Sequence, residues 1–241
     1  MTKRTYGQYC AVARGLDIIG DRWTLLIVRD LLLGPKRYKD LLSGQPGIGT
    51  NLLAARLREM EAAGLVERAT LPPPAGSAVY RLTQTGAALE PVLVAIAQWG
   101  GQFLGAPLPS DTMVPRAYFV AIRHAFRPEL AGDLSETYEL HVGGNVFEVR
   151  VAGGQCTTRE SAASDPDAVL DLDTGTLNAL LMEGLPPRDA IASGRVRLTG
   201  DPGSLDRFRP PVRDPPDSAG RAAAVKRRSD DHRLAPLTPS C

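Results

Sequence analysis

The chain has 241 residues, of which 43% are hydrophobic and 23% are charged, and its formal net charge is +1. This composition is typical of a soluble globular protein, and the length suits two modest domains better than one. The first half is mildly basic and the second half acidic, which indicates domains with different partners. No run approaches the ~20 apolar residues of a membrane span, so we expect no membrane partner.

The first segment, "MTKRTYGQYC", has no apolar core and is not expected to act as a signal peptide. Apolar residues at Val12, Leu16 and Ile19 predict a first helix. Asp21 is expected to cap a second, strongly apolar helix, which ends at the Gly-Pro pair of "LLLGPKRY". "RYKDLLSG" predicts a short third helix, and "QPGIG" predicts a tight turn.

After that turn, Thr50 is expected to cap a helix over "NLLAARLREMEAAG". Alternating residues at 65–70 and 78–83 then predict a β-hairpin with a proline-rich tip. A long apolar segment follows, and Pro91 predicts a kink or a restart of its helix. This order of elements is that of a winged helix-turn-helix: three helices, a turn, a helix, a hairpin and a long helix. In this fold the recognition helix lies in the major groove of DNA.

The second half changes character after a Gly/Pro/Ser-rich segment. "SETYELHVGGNVFEVRVAGGQCTTRES" alternates apolar and polar residues around two Gly-Gly turns, which predicts an antiparallel meander. With the strand and helix patterns that follow it, this half is predicted to be α+β. We therefore expect a DNA-binding and dimerisation domain over 1–105, a linker over 106–114, a ligand-binding domain over 115–208 and a disordered tail over 209–241.

Within residues 6–103, the stretch from "CAVARGLDIIGDRW" through "LLLGPKRY" to "GIGTNLLAARLREMEAAGLVERA", continued by "YRLTQTGAAL" and "AIAQWG", closely resembles the HxlR-type branch of bacterial winged-helix regulators. The resemblance implies a homodimeric DNA-binding transcriptional regulator, usually a repressor. Apolar surface on the first and last helices of this domain would be buried in a two-fold dimer that reads a palindromic operator on double-stranded DNA.

The candidate DNA contacts fall on a basic corner, the recognition helix and the hairpin wing. The corner is expected to meet phosphate, and Asn51 is expected to read adenine. Gly49 and Asn51 stand where the family often has hydroxylated and basic residues, so the operator sequence does not transfer. Arg56 is expected either to brace the fold or to touch phosphate. The full set is Lys36, Arg37, Thr50, Asn51, Ala54, Arg56, Arg58, Ser77 and Arg81.

Cys10 stands where several members of the resembling family place a cysteine that reacts with oxidants or electrophiles. Such a sensor needs a partly exposed thiol of lowered pKa. The other interpretation is a small buried residue in the dimer interface. Cys156 and Cys241 have no comparable surroundings in the sequence, and no C-x-x-C pair suggests a zinc site, so we expect no metal.

Residues 115–208 resemble the sterol carrier protein fold, chiefly through "LNALLMEG" and "SGRVRLTGDPGSLDRF". The resemblance implies a five-stranded sheet with helices around an apolar cavity for a lipid-like effector. The side chains that would line this cavity, or else belong to an ordinary core, are Tyr118, Phe119, Phe126, Phe147, Leu177 and Leu181.

The sequence shows no catalytic triad, phosphate loop or dinucleotide motif, so an enzyme and a cofactor are not expected. We predict a cytoplasmic transcriptional regulator of the repressor type that responds to a small apolar or electrophilic effector. Two alternatives stay open: a small-molecule-sequestering protein with a vestigial DNA-binding domain, and a thiol switch that uses Cys10 with no pocket effector.

Overall fold

The computed structural model describes residues 5–72, 76–105, 107–201 and 203. The tail predicted to be disordered, 209–241, lies outside these residues together with its cysteine. The protein is α+β, with a helical N-terminal part followed by a part built on a sheet. Among the described residues, no helix is long and apolar enough to cross a membrane.

Four helices open the chain, as the apolar spacing predicts. They are α1 (Ala11–Ile19), α2 (Thr24–Leu31), α3 (Tyr38–Gly44) and α4 (Thr50–Ala62). Ile27 of α2, Leu41 of α3 and the pair Leu53 and Leu57 of α4 are at most 1% exposed and belong to one core. Because residues three and four apart share one face of a helix, each of these helices buries one stripe and leaves the opposite one to solvent.

Two predicted helix caps are wrong. Asp21 does not cap α2: the residue before this helix is Trp23, whose φ of 80° is left-handed, and the Asp21 carboxylate instead lies 2.6 Å from the Arg56 guanidinium. Thr50 is the first residue of α4, and Gly49 stands at the capping position. Glycine has no side chain to cap with, so α4 begins without a side-chain hydrogen bond there.

The hairpin consists of β1 (Val66–Thr70) and β2 (Ala78–Leu82), paired antiparallel. α5 (Gln84–Ala87) follows, with Thr83 Oγ1 accepting from the Gly86 N–H at 3.1 Å, and α6 is Glu90–Gly101. Pro91 lies in the first turn of α6, where its missing N–H costs no helical hydrogen bond. Of the two predicted roles for Pro91, a restart is therefore the one observed.

The C-terminal part begins with two helices and is centred on one sheet. Its elements are α7 (Pro115–Ala125), α8 (Pro128–Ala131), β3 (Glu136–Val142), β4 (Asn145–Ala152), β5 (Gln155–Arg159), β6 (Ala168–Leu172), α9 (Thr174–Met182), α10 (Pro187–Ala192) and β7 (Val196–Gly200). The sheet has the order β5-β4-β3-β6-β7, with β3 and β6 parallel and the other pairs antiparallel. The predicted meander and the five strands are confirmed. Asp173 caps α9, because its carboxylate accepts a hydrogen bond from the Thr176 N–H.

The two parts are packed against each other. Leu33, one residue before the corner glycine, is 1% exposed and belongs to the core of the C-terminal part. The Leu33 carbonyl accepts a hydrogen bond of 2.9 Å from the N–H of Glu160, just beyond β5. The end of α2 is thereby fixed to the C-terminal sheet through both its backbone and a buried side chain.

Candidate functional site

The solvent-facing side of α4 carries the polar residues expected to contact DNA. Thr50, Asn51 and Arg58 are exposed and Ala54 is half-buried, whereas Leu53, on the other side, is fully buried. Asn51, Ala54 and Arg58 recur at spacings of three and four, so they form one stripe along the helix. An amide, a methyl group and a guanidinium are groups that can contact base edges or phosphate in a major groove.

The start of α4 is held by the preceding helix. The Tyr38 hydroxyl, at the first position of α3, donates a 2.6 Å hydrogen bond to the carbonyl oxygen of Thr50. This bond joins the two helices at the end where the polar stripe begins. The orientation of the stripe therefore depends on how α3 is placed.

Lys36 is not part of a solvated basic corner. It is 4% exposed, its backbone pairs with Tyr80 of the wing, and its ammonium lies 3.3 Å from a Glu160 carboxylate oxygen. The ammonium also donates to the carbonyls of Leu33 and Gly34, at 3.4 and 3.2 Å. The expected contact of Lys36 with phosphate is therefore not available in this structure, because its charge points into the protein.

Two other cationic residues lie at the start of α3, the helix before α4. Arg37 is half-buried directly before α3, and its backbone N–H donates to the Asp40 carboxylate at 3.2 Å. Lys39, which the sequence reasoning missed, is exposed on α3. The run "PKRYK" shows that cations cluster here. Only the structure shows that Lys39 faces solvent while Lys36 is buried. Leu52, 44% exposed on α4, was also missed.

Arg56 braces the fold. Its guanidinium lies 2.6 Å from carboxylate oxygens of both Asp21 and Glu59, and its side chain is 13% exposed. Of the two roles predicted for Arg56, the structure supports the bracing role and corrects its assignment to DNA.

On the wing, Arg81 pairs with Glu67 at 2.7 Å in an exposed contact, and Ser77 is half-buried beside the strand.

The aromatic residues expected to line a cavity fill the core instead. Phe119 and Phe147 are fully buried and stack with their ring centroids 3.8 Å apart. Leu177 is fully buried, Leu181 is 7% exposed, and Phe126 packs against the same core. Tyr118 is half-buried and its hydroxyl donates to Asn178 at 2.9 Å. These side chains therefore belong to the packed core of the C-terminal part or lie against it.

An open groove of about 580 Å³ lies where α5, α6 and α7 meet. Its lining is Ala87, Ala88, Glu90, Pro91, Val94, Ala95, Gln98 and His124. At its polar end, the Glu90 carboxylate pairs with Arg123 and lies 3.0 Å from the His124 imidazole. Burial lowers the pKa of His124 below its ordinary value, and the neighbouring Glu90 carboxylate only partly opposes this shift.

The described cysteines have opposite surroundings. Cys10 is exposed immediately before α1, and its carbonyl accepts from the N–H of Arg14. Cys156 is buried in β5, and burial raises the pKa of its thiol to about 11. Since the thiolate is the reactive form, Cys10 is the one of the two described cysteines with the exposure that a sensor needs. Within the described residues, no group of three His, Cys, Asp or Glu side chains could hold a metal ion.

A broad apolar surface covers α1, α6 and the residues after α6. None of the α6 residues is buried, and in α1 only Ala13 is. The exposed large side chains are Val12, Leu16, Ile18, Val92, Ile96, Trp99, Phe103 and Leu104. Exposed apolar side chains in this number are typical of an interaction site rather than of an ordinary solvent-facing surface.

Comparisons with known proteins divide the chain in the same way. Residues 18–107 match the model of the HxlR-like helix-turn-helix family, and residues 122–212 match the SCP-2 sterol transfer family. The HTH-type transcriptional regulator YodB of Bacillus subtilis is 38% identical over 97 residues, which are 40% of this chain and 84% of YodB. The regulator YvaP of the same organism is 34% identical over 38% of this chain and 84% of its own length.

Among solved structures, the reduced form of YodB from B. subtilis is 35% identical and aligns with 43% of this chain and 100% of its own, with a TM-score of 0.36. The family matches and the relatives indicate a DNA-binding transcriptional regulator. The chain belongs to the HxlR-like helix-turn-helix family of transcriptional regulators and carries, after that domain, a domain of the SCP-2 sterol transfer family.

Proposed function

We propose that the protein is a cytoplasmic, homodimeric repressor that binds a palindromic operator. The observation that carries this proposal is the polar stripe of Asn51, Ala54 and Arg58 on α4, exposed on a helix whose other face is buried. The stripe and Thr50 would meet base edges, and Arg37, Ser77 and Arg81 would meet the flanking phosphates. Arg81 would exchange its exposed partner Glu67 for phosphate at little cost, because surface ion pairs contribute little.

The apolar surface of α1 and α6 supports the homodimer. Trp99 is 65% exposed and Ile96 is 47% exposed on the same face of α6. In a two-fold dimer the same patch of both copies is buried, and two α4 helices are placed on successive half-sites about one turn of DNA apart. The proposed units are a DNA-binding and dimerisation domain over 1–105, a linker over 106–114 and an SCP-2-like domain over 115–208.

For the effector we propose the groove between α6 and α7, since the side chains expected to line a cavity in the SCP-2-like domain pack in its core. Its apolar lining suits a small ligand with an apolar body, and Glu90 and His124 offer hydrogen-bond partners at one end. The second candidate is a thiol switch at Cys10, which its exposure favours.

Binding of the full-length protein to DNA from upstream of its own gene tests the proposal. We expect a specific complex at sub-micromolar protein whose affinity falls with salt. Asn51→Ala should reduce discrimination against other DNA by about 1–3 kcal/mol. Arg150→Ala, which removes an exposed cation of β4 far along the chain from α4, serves as the control and should bind normally.

If the wild-type protein binds all sequences alike, the repressor proposal fails and the sequestering protein with a vestigial DNA-binding domain takes its place. For the thiol switch, Cys10→Ser should abolish the release of DNA by diamide or quinones. An unchanged release in that variant would remove Cys10 from the mechanism.

A further inference from the structure

A buried group of charged and polar side chains lies where the helix-turn-helix meets the SCP-2-like domain. We call it the junction cluster: Asp30, Lys36, Gln45, Arg116 and Glu160. Asp30 is fully buried, Gln45 is 2% exposed and Arg116 is 6% exposed. The first three residues belong to the DNA-binding part and the last two to the C-terminal part. Removing so many charges from water is unfavourable unless each is paired, so the geometry of the cluster is tightly constrained.

Arg116, in the first turn of α7, is held by Glu160 of its own part and also contacts the DNA-binding part. Its Nε and Nη2 donate to the two carboxylate oxygens of Glu160, at 2.6 and 2.8 Å. Its Nη1 donates to the backbone carbonyl of Asp40 in α3 at 2.9 Å and lies 3.6 Å from the Asp30 carboxylate of α2. One side chain of the SCP-2-like domain therefore contacts both helices that precede the recognition helix.

The same cluster places the turn between α3 and α4. Gln45 Nε2 donates to the Asp30 carboxylate at 2.7 Å and to the Leu26 carbonyl at 3.1 Å. Gly44 lies so close to Arg116 that a Cβ there would be 1.8 Å from its Nη1. The end of α3 is thus seated directly on the guanidinium, and the chain continues from there through Ile48 into α4.

Opposite charges hold Glu160 ionised in this place. Burial alone would raise its pKa, but the Arg116 hydrogen bonds and the Lys36 charge outweigh burial and keep the pKa below its ordinary value. Lys36 has its pKa lowered by burial, and the charge of Glu160 opposes this shift.

YodB and YvaP are each matched over 84% of their length by the N-terminal part alone. Compared with these two relatives, this chain therefore has an additional domain, and that domain contacts the helix-turn-helix.

We propose that Arg116 is a positioning residue for the recognition helix, and that through it the SCP-2-like domain sets the affinity for the operator. The proposal rests on the proposed function. With the junction cluster closed, Arg116 fixes α2, α3 and the turn, and α4 is held in the orientation that reads DNA. Any bound ligand that shifts α7 or β5 moves Arg116 or Glu160 away from the cluster. The turn between α3 and α4 then loses its contacts. The state of the SCP-2-like domain is coupled in this way to operator binding. Such a coupling typically changes the affinity by about 5- to 150-fold.

The test compares full-length Arg116→Met with the wild type and with Arg150→Met, the same substitution at an exposed arginine of β4. The proposal predicts that specific affinity falls about tenfold or more in Arg116→Met, while non-specific affinity changes less than about twofold. The slope of affinity against salt stays the same, because Arg116 makes no phosphate contact. Arg116→Lys should recover part of the loss, and Arg150→Met should match the wild type.

Hydrogen exchange without DNA provides a second measurement. In Arg116→Met, the amides of Ile48 and Leu53, which are bonded in the turn and at the start of α4, should exchange faster, whereas Leu170 in the middle of the sheet stays protected. Unchanged exchange at Ile48 together with wild-type specific affinity would overturn the proposal. So would an equal fall in specific and non-specific affinity, which indicates unfolding. Absence of a specific complex in the wild type would refute the regulator instead, and Ile48 exchange would still decide the positioning role.

Discussion

Replacement of Trp99 by alanine should abolish the dimer at micromolar concentration. Trp99 is 65% exposed on α6, with Phe103 packed edge-on against it at 5.0 Å between ring centroids. The tryptophan contributes nothing to the core of its own protomer, and alanine has the higher helix propensity. The folded monomer should therefore tolerate the substitution.

The magnitude follows from the exposed area. An aromatic side chain of this size presents up to about 250 Å², so 65% exposure leaves roughly 160 Å² to be covered in a dimer. At about 25 cal/mol per Å², this is roughly 4 kcal/mol per copy. Both copies of Trp99 are buried in a two-fold dimer. Even if each is only half covered, together they stabilise the dimer by about 4 kcal/mol, which is about a thousandfold in the dimer Kd.

Sedimentation equilibrium of the full-length protein measures this change. The wild type should be a dimer at concentrations where Trp99→Ala is a monomer. Met182→Ala, which removes a side chain that is 53% exposed on α9, is the matched control and should leave the dimer intact. A wild-type monomer at tens of micromolar, or a Trp99→Ala dimer of unchanged Kd, would refute the assignment of this surface to the dimer.

Three further predictions concern single charged or reactive groups. Lys36→Met should leave the salt slope of DNA binding unchanged, whereas loss of a phosphate contact would lower it by about one; the measurement is affinity across a salt series. The hydrogen bond to Glu139 raises the pKa of His141 above its ordinary 6.5. Its stabilising effect is therefore complete below pH 6.5 and is lost as pH rises through the raised value. In urea unfolding, His141→Gln should be less stable than the wild type at pH 5.5, by an amount that shrinks toward pH 8.5; a constant difference would contradict this. Native protein treated with iodoacetamide at pH 8 should be alkylated at Cys10 and not at Cys156, as read by peptide mass spectrometry, and equal labelling would contradict the burial of Cys156.

Much of the fold could be predicted because its signals are local. Apolar residues three and four apart, such as Leu53 and Leu57, fix which face of α4 is buried, and the alternation around the Gly-Gly turns fixes β3 to β5. The family resemblance was carried by residues of the same local kind, such as "LLLGPKRY". The exposed polar stripe of α4 follows directly from the position of its buried stripe.

The charged residues could not be assigned in the same way, because their partners are distant in the chain. Arg116 and the Asp40 carbonyl are 76 residues apart, and Arg116 and Glu160 are 44 apart. From the sequence, Lys36 looks like a solvated cation and Asp21 like a helix cap. Only tertiary packing reveals that Glu160 binds the first and Arg56 the second. Likewise, a sequence lists the aromatic residues of a core but not whether Phe119 and Phe147 leave space between them.

The most direct test of the account is to recover the genomic DNA that full-length protein binds at about 150 mM salt and to footprint it. The account predicts one or a few sites with two-fold symmetry, whose half-sites lie about one helical turn apart and are bound at sub-micromolar concentration. Recovery of DNA with no shared sequence, bound with an affinity that depends only on salt, would contradict the central claim that α4 reads an operator.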